Sequence, residues 1–258
     1  MLVVGGEDIN GVISGVELFD AITGTWSTPS VMAMPRSDHT STLLPNGEVL
    51  VVGGAVGDPI AAADRYDPVG NRWSAAGSIG IPRGWHTATL LPGGTVLVAG
   101  GATINSIEFL SSTLRYTISA NKWRRAADMN SRHGVHVALL LNNGLVLVVG
   151  GAGPPELYDP VRDVWSVEGD PASIGLTALR ATATELADGS VLAIGGIPTN
   201  GGPGSPEVHR YVPDASPPGT TAVGVPALSL AALFALAVIL SLTAVRSVGL
   251  RGQRARRR

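Results

Sequence analysis

The sequence predicts an all-β fold made of repeated four-stranded units, and two observations support this. An aromatic residue stands seven positions before a tryptophan four times, as Phe19/Trp26, Tyr66/Trp73, Tyr116/Trp123 and Tyr158/Trp165. Each of these pairs follows a Gly-Gly that closes an apolar run, and a fifth such run ends at Gly195-Gly196. The Gly pairs begin at residues 5, 53, 100, 150 and 195, so one repeat spans 45 to 50 residues. A repeat of this length indicates one supersecondary unit per period.

The third unit shows what a single repeat contains. Residues 86–91 (HTATLL) and 95–101 (TVLVAGG) flank a Pro-Gly-Gly turn, and residues 112–116 (STLRY) precede a further strand that carries Trp123. These are four strands joined by hairpins. Four-stranded units of this kind need neighbours to bury their faces, and such units form a β-propeller.

The repeated glycines and aromatic residues have a structural interpretation. Glycine allows a turn with positive φ and a close approach of neighbouring strands, and Tyr and Trp are large enough to fill the space between units. We therefore expect packing roles for Gly53, Gly54, Tyr66, Trp73, Gly100, Gly101, Tyr116, Trp123, Gly150, Gly151, Tyr158 and Trp165. Asp20, Asp67 and Asp159 follow the third-strand aromatic residue, and we expect them to cap turns.

The consensus of these units is similar to the kelch repeat, including the kelch-like repeats of galactose-oxidase-type bacterial propellers. It runs R-x-x-H-T-x-T-L-L-P-x-G-x-V-L-V-x-G-G and then Y-D-P-x-x-x-x-W, and it covers residues 1–212. The resemblance implies that the first strand of each unit lines a central channel and that the fourth strand lies outermost.

The units at the two ends are incomplete. Met1 aligns with the middle of a second strand, and no tryptophan follows Tyr211. We therefore expect about five blades, of which three are complete and two partial. The sequence "MLVVGG" also lacks the basic region and cleavage site of an export signal. Both observations favour a chain truncated at its N-terminus, and a small five-bladed ring is the alternative.

Composition excludes several classes of function. The 258 residues contain no cysteine, so disulfides, thiolate metal sites and cysteine nucleophiles are excluded. All 20 acidic residues lie at or before Asp214, whereas six of the 18 basic residues follow residue 245, so the repeat region carries a net charge of −8. An acidic body argues against nucleic acid as a partner.

The pattern of residues 213–258 predicts a membrane segment with flanking regions. Residues 213–222 form a Pro/Ser/Thr/Gly-rich linker, residues 223–245 contain no charge, and residues 246–258 are basic. A run of 23 uncharged residues is long enough to span a bilayer, and the positive-inside rule puts the basic tail in the cytoplasm. Residues 225–229 (VPALS) resemble bacterial C-terminal sorting signals of the Ile-Pro-Thr-Leu type. The protein is therefore expected to be membrane-anchored with the propeller outside, or displayed at the surface after sorting.

Candidate binding residues come from the repeat and from its exceptions. Arg36, Arg83 and Arg132 precede a repeated histidine, and we expect backbone or inter-blade acidic partners for them, with anion binding at a channel mouth as the alternative. Trp85 is the one tryptophan outside the repeat position, and it is either an exposed contact or locally packed. The loops at 7–18, 55–65, 102–115, 152–157 and 197–210 differ between units, and irregular loops on a regular scaffold are the usual binding surface.

The repeated histidines are not expected to hold a metal. His39, His86 and His136 each lie 14 residues before a Gly-Gly, so they occupy equivalent places in successive blades, about 10 Å apart. Metal ligands must nearly touch, since Zn–N bonds are about 2 Å long. We expect a hydrogen bond from each histidine at the start of a first strand, and no metal or other cofactor.

These features favour a non-catalytic propeller that binds a protein or a glycan through its loops. The alternative is a carbohydrate-active enzyme of the kelch-propeller type. Galactose-oxidase-like copper chemistry is disfavoured because the resemblance implies a cofactor formed from Tyr and Cys, and this chain has no cysteine.

Overall fold

The computed structural model shows a five-bladed β-propeller, which confirms the all-β prediction. It describes residues 1–103, 108–168, 178–198 and 208–212. The predicted linker (213–222), transmembrane segment (223–245) and basic tail (246–258) lie outside the described residues. Within those ranges there is no helix long and apolar enough to cross a membrane.

The first two blades differ in strand number. The first contains β1 (Leu2–Val4), β2 (Glu7–Asp8), β3 (Gly11–Val12), β4 (Val16–Asp20) and β5 (Thr25–Ser27), with β1, β4 and β5 forming its main sheet. The second contains β6 (Thr40–Leu43), β7 (Val49–Val52), β8 (Ala55–Val56), β9 (Asp58–Pro59), β10 (Ala62–Asp67) and β11 (Arg72–Ser78). Its main sheet has four antiparallel strands in the order β6-β7-β10-β11.

The third and fourth blades repeat the four-stranded pattern. The third contains β12 (Thr87–Leu90), β13 (Thr95–Ala99), β14 (Ala102–Thr103), β15 (Glu108–Phe109), β16 (Thr113–Thr117) and β17 (Lys122–Arg125). The fourth contains β18 (Val137–Leu140), β19 (Val146–Val149), β20 (Glu156–Asp159) and β21 (Val164–Val167). The fifth contains β22 (Ala178–Leu179), β23 (Thr182–Glu185), β24 (Val191–Ile194), β25 (Ile197–Pro198) and β26 (Val208–Tyr211), with β23, β24 and β26 in its main sheet. Among the described residues, the main sheets therefore divide into three with four strands and two with three strands, as the repeat predicted.

The core lies between the blades. The second strands of the second, third and fourth blades are buried because a neighbouring sheet covers each of their faces. Leu50 and Val52 of the second blade, for example, pack with Val96 and Val98 of the third. The first strands of consecutive blades, β6, β12, β18 and β23, lie side by side. Each face of the propeller therefore lies at one end of these first strands.

The repeated aromatic residues join neighbouring blades, as predicted. The indole Nε1 of Trp73, Trp123 and Trp165 donates a hydrogen bond to a carbonyl of the preceding blade, at 2.7–2.9 Å. Each of these indoles also packs against its own blade's tyrosine, with ring centres 4.9–5.0 Å apart.

In the three complete blades, the buried tyrosine hydroxyl has a partner in the following turn. Tyr66, Tyr116 and Tyr158 donate to the side chain five residues later, namely Asn71, Asn121 and Asp163. These three turn residues have positive φ, between 46° and 58°. In the first blade, Phe19 stands at the tyrosine position and has no hydroxyl to donate. Gly24 stands at the acceptor position and has no side chain to accept, so donor and acceptor are both missing there.

Candidate functional site

Four non-glycine residues with left-handed backbone stand at the same place in successive blades. Each lies two residues before a first strand, and together they are Asp38 (φ 54°), Trp85 (φ 53°), Val135 (φ 56°) and Arg180 (φ 60°). Positive φ is uncommon outside glycine, and for a β-branched residue such as Val135 it is an outlier. Strained backbone of this kind clusters at binding sites.

Backbone hydrogen bonds join these residues into a continuous series, which we term the axial ring. The amide of Trp85 donates to the carbonyl of Asp38 at 3.1 Å, and the amide of Val135 donates to the carbonyl of Trp85 at 3.1 Å. The amide of Arg180 continues the series to the carbonyl of Val135 at 3.0 Å. The axial ring thus follows the channel mouth at one end of the first strands.

The side chains of the axial ring face water to different degrees. Those of Asp38 and Arg180 are exposed, whereas Trp85 and Val135 are half-buried. One mouth therefore offers a carboxylate, an indole, an apolar surface and a guanidinium. An indole face suits sugars and apolar side chains, while the two charged groups supply hydrogen bonds.

Backbone hydrogen bonds of the preceding residues fix part of the axial ring. Ser37 and Ala55 exchange two backbone hydrogen bonds, and so do Gly84 and Ala102. Residues 37 and 84 directly precede Asp38 and Trp85, so these two ring residues are tied to the hairpin that follows their own blade's Gly-Gly. The short ladders β2-β3, β8-β9 and β14-β15 stand in the predicted variable loops beside this mouth.

Beneath the axial ring, one residue per blade links two blades. The carbonyls of Arg36, Arg83 and His133 accept from the amides of Gly6, Gly54 and Gly101 in the preceding blade, at 2.8–2.9 Å. Their side chains bond the carbonyls of Gly53, Gly100 and Gly150 in their own blades, at 2.9–3.2 Å. A Cβ on Gly53 or Gly100 would lie 2.4–2.5 Å from the carbonyl oxygen of Arg83 or His133, and this close approach explains why the glycine pair recurs.

The partners of the two buried guanidinium groups differ. Arg36 is fully buried and pairs with Asp64 at 2.5 Å, and burial lowers its pKa against the opposing effect of that carboxylate. Arg83 is equally buried, but its Nη atoms bond Gly100, the carbonyl of Ser112 and the Ser112 hydroxyl. Burial lowers the pKa of Arg83 to about 10. Both arginines therefore have the backbone partners that the sequence suggested, and ligand binding by either stays a prediction.

In the fourth blade, His133 takes the place of the arginine. Its Nε2 lies 3.2 Å from Oε1 of Glu156, and both side chains are fully buried. Glu156 also accepts from the amides of Asn130 and Ser131 at 2.7 Å. Burial raises the pKa of Glu156, but the bonds from His133, Asn130 and Ser131 outweigh this effect and leave that pKa below its usual value.

Arg132 does not belong to the series of Arg36 and Arg83. It is exposed and forms an ion pair with Glu108. The signal for its correct neighbour is in the spacing, because Arg36, Arg83 and His133 all precede the repeated histidine by three residues, whereas Arg132 precedes it by four. Glu108 belongs to the preceding blade, so Arg132 has an inter-blade acidic partner of the kind that the sequence suggested, and ligand binding by Arg132 stays a prediction.

Two of the three repeated histidines, His86 and His136, make the expected hydrogen bond. His86 Nε2 bonds the Thr40 hydroxyl at 2.9 Å, and His136 Nε2 bonds the Thr87 hydroxyl at 3.0 Å, each time between adjacent first strands. The next pair would be Val137 and Ala181, where both partners are apolar. Burial lowers the pKa of His86 and of His136 to about 3, so both imidazoles are neutral. Among the described residues, no three His, Cys, Asp or Glu side chains are grouped so as to hold a metal ion.

The predicted turn aspartates also occupy their expected places. Asp67 accepts from the amides of Val69 and Gly70, and Asp159 accepts from those of Val161 and Arg162, at 2.8–3.0 Å. Asp20 accepts from the amide of Ile22 at 2.8 Å.

Comparison with known proteins supports the fold and leaves the activity open. No protein-family model matches the chain, and neither does any curated protein. The structure is similar to a solved structure described as "Structure of YjhT", with a TM-score of 0.65 over 83% of this chain and 79% of that one. The two sequences are 16% identical, so the similarity shows the propeller fold alone.

Proposed function

We propose that this protein is a non-catalytic, kelch-type propeller that binds a glycan or a protein segment at the axial ring. The observation that carries this proposal is the set of left-handed residues at one channel mouth. Four side chains of different chemistry occupy the same repeat position, whereas the positions beneath them serve the fold. Positions that differ between repeats, on a face where the backbone is held in strain, are those expected to contact a ligand.

Trp85 is the proposed anchor of this surface. Its indole is half-buried, and it lies between Asp38 and Val135 along the backbone series. Aromatic side chains held at fixed geometry dominate the energetics of most binding surfaces. The exposed ends of Asp38 and Arg180 would then orient the ligand.

We further propose that residues 223–245 anchor the propeller in a membrane or carry it through sorting to the cell surface. Support comes from the sequence, in which 23 uncharged residues precede a basic tail. A propeller outside the cytoplasm would present the axial ring to extracellular glycans or proteins.

Binding would be tested with the full chain on a glycan array and against a peptide library. Substitution Trp85→Ala should weaken capture at least tenfold, because a buried aromatic anchor is worth about 2 kcal/mol or more. Substitution Trp26→Ala is the matched control, since Trp26 is also exposed but lies in the outermost strand of the first blade. A ligand that binds wild type and Trp85→Ala equally would contradict the proposal, as would failure of wild type on both surfaces.

A further inference from the structure

A cleft of about 640 Å³ lies between the third and fourth blades, at the face opposite the axial ring. It is lined by Leu91–Gly93, Arg115, Asn143–Leu145 and Asp159–Arg162. Its walls are hairpin turns at the far end of β12 and β18, whereas the axial ring precedes the near end of the same strands. This volume is in the usual range for small-molecule sites.

Arg115 holds a repeat position whose charge is neutralised in two other blades. An arginine directly precedes the third-strand tyrosine in the second, third and fifth blades, as Arg65, Arg115 and Arg210. Arg65 pairs with Glu48 at 3.4 Å. Arg210 pairs with Asp188 in the hairpin turn of its own blade. Both of these guanidinium groups are thus matched by an acid from the turn before the second strand.

In the third blade both acidic positions have changed. Thr95 stands where the second blade has Glu48, and Gly93 stands where the fifth blade has Asp188. The guanidinium of Arg115 instead bonds the Thr95 hydroxyl at 3.1 Å and the carbonyl of Pro160 at 2.8 Å, both of which are neutral. Among the described residues, no carboxylate lies within ion-pair distance of Arg115.

The acids nearest Arg115 are each paired with another arginine. Asp163 interacts electrostatically with Arg115, but its carboxylate pairs with Arg124 at 3.5 Å. Asp159 lies in the cleft wall, but Arg162 pairs with it at 2.8 Å and neutralises it. Asn143 accepts from the amide of Leu145 through Oδ1 at 3.1 Å, which leaves its Nδ2 as a second donor group in the wall. A guanidinium and an amide donor in one cleft match the oxygens of an anion.

We propose that this cleft binds a small organic carboxylate, with Arg115 as the charged contact. A half-buried guanidinium whose protein partners are neutral gains a charge-assisted hydrogen bond when a carboxylate occupies the cleft. Arg65 and Arg210 cannot make this gain, because their acids already occupy the equivalent position. The site is separate from the axial ring and does not depend on the function proposed for it.

The repeat itself supplies the variants for the test. Substitution Thr95→Glu copies the second blade, and Gly93→Asp copies the fifth. Gly93 does not have positive φ, and a Cβ at this position meets nothing within 4 Å, so a side chain is tolerated there. Gly93→Asn is the uncharged control of the same shape. Arg115→Gln removes the cation, and Arg65→Gln removes an equivalent arginine that is already paired.

Titration calorimetry on the full chain would use citrate and D-glucuronate as probes and D-glucose as the neutral comparison. We expect wild type, Gly93→Asn and Arg65→Gln to bind at least one of the two carboxylates and not glucose. The affinity should fall at least tenfold in Thr95→Glu, in Gly93→Asp and in Arg115→Gln. Thr95→Glu and Gly93→Asp decide the matter if Arg115→Gln does not fold. The proposal is overturned if wild type binds neither carboxylate, or if the added acids leave the affinity unchanged.

Discussion

Replacement of Gly100 by alanine is expected to destabilise the propeller far more than replacement of Gly94. Both glycines have φ near +60°, at 60° and 67°, so a side chain strains the backbone equally at the two positions. A Cβ on Gly94 meets nothing within 4 Å, whereas one on Gly100 would lie 2.4 Å from the carbonyl oxygen of His133 in the next blade. We expect Gly94→Ala to cost about 1 kcal/mol of unfolding free energy and Gly100→Ala about 3–5 kcal/mol.

Denaturant unfolding monitored by tryptophan fluorescence would measure this difference. Equal losses in the two variants would show that glycine is needed at residue 100 only for its backbone angle. That result would contradict the conclusion that the Gly-Gly pair exists to let two blades touch.

Acidification between pH 7 and pH 5 is expected to remove about 4 kcal/mol of stability. His86 and His136 have a pKa of about 3 in the folded protein because they are buried, against 6.5 in an unfolded chain. Below pH 6.5 the unfolded chain therefore binds two protons that the folded protein does not, and stability falls by up to ~1.4 kcal/mol per pH unit for each histidine. The loss continues until the pH reaches the folded-state value.

Urea unfolding at pH 7, 6 and 5 would test this dependence. Burial also lowers the pKa of His39, so the control is the triple variant His39→Gln/His86→Gln/His136→Gln. It removes all three of these imidazoles, so its stability should change little over the same range, whatever its value at pH 7. Wild-type stability that stays constant from pH 7 to pH 5 would show that these imidazoles are protonated in the folded state.

Much of the architecture was predictable because the same residue types recur at the same positions of each repeat. The Gly pairs, the tyrosines and the tryptophans mark contacts that every blade must make with its neighbour, and steric requirements there permit few alternatives. The strand order, the incomplete first and fifth blades, and the histidine hydrogen bonds followed from the same periodicity.

The candidate site was less predictable, because left-handed backbone at Val135 and Arg180 has no signature in residue type, and Asp38 carries only the weak preference of aspartate for this region. Glycine would have indicated such a position, but none of the four ring residues is glycine. Only Trp85 stood out, as a tryptophan outside the repeat. The substitution of His133 for arginine was hidden for another reason, since two chemically different side chains bond the same glycine carbonyl.

The unfolding free energy of Val135→Gly tests most directly whether the left-handed backbone of the axial ring serves to expose side chains to a ligand rather than to stabilise the fold. Glycine adopts φ of 56° without strain, so the variant should be more stable than wild type by about 1 kcal/mol. Asn121→Gly is the matched control, because Asn121 also has positive φ but bonds Tyr116 and Ala75, so that variant should lose stability. A Val135→Gly protein that is less stable than wild type would contradict the account, since Val135 would then serve the fold.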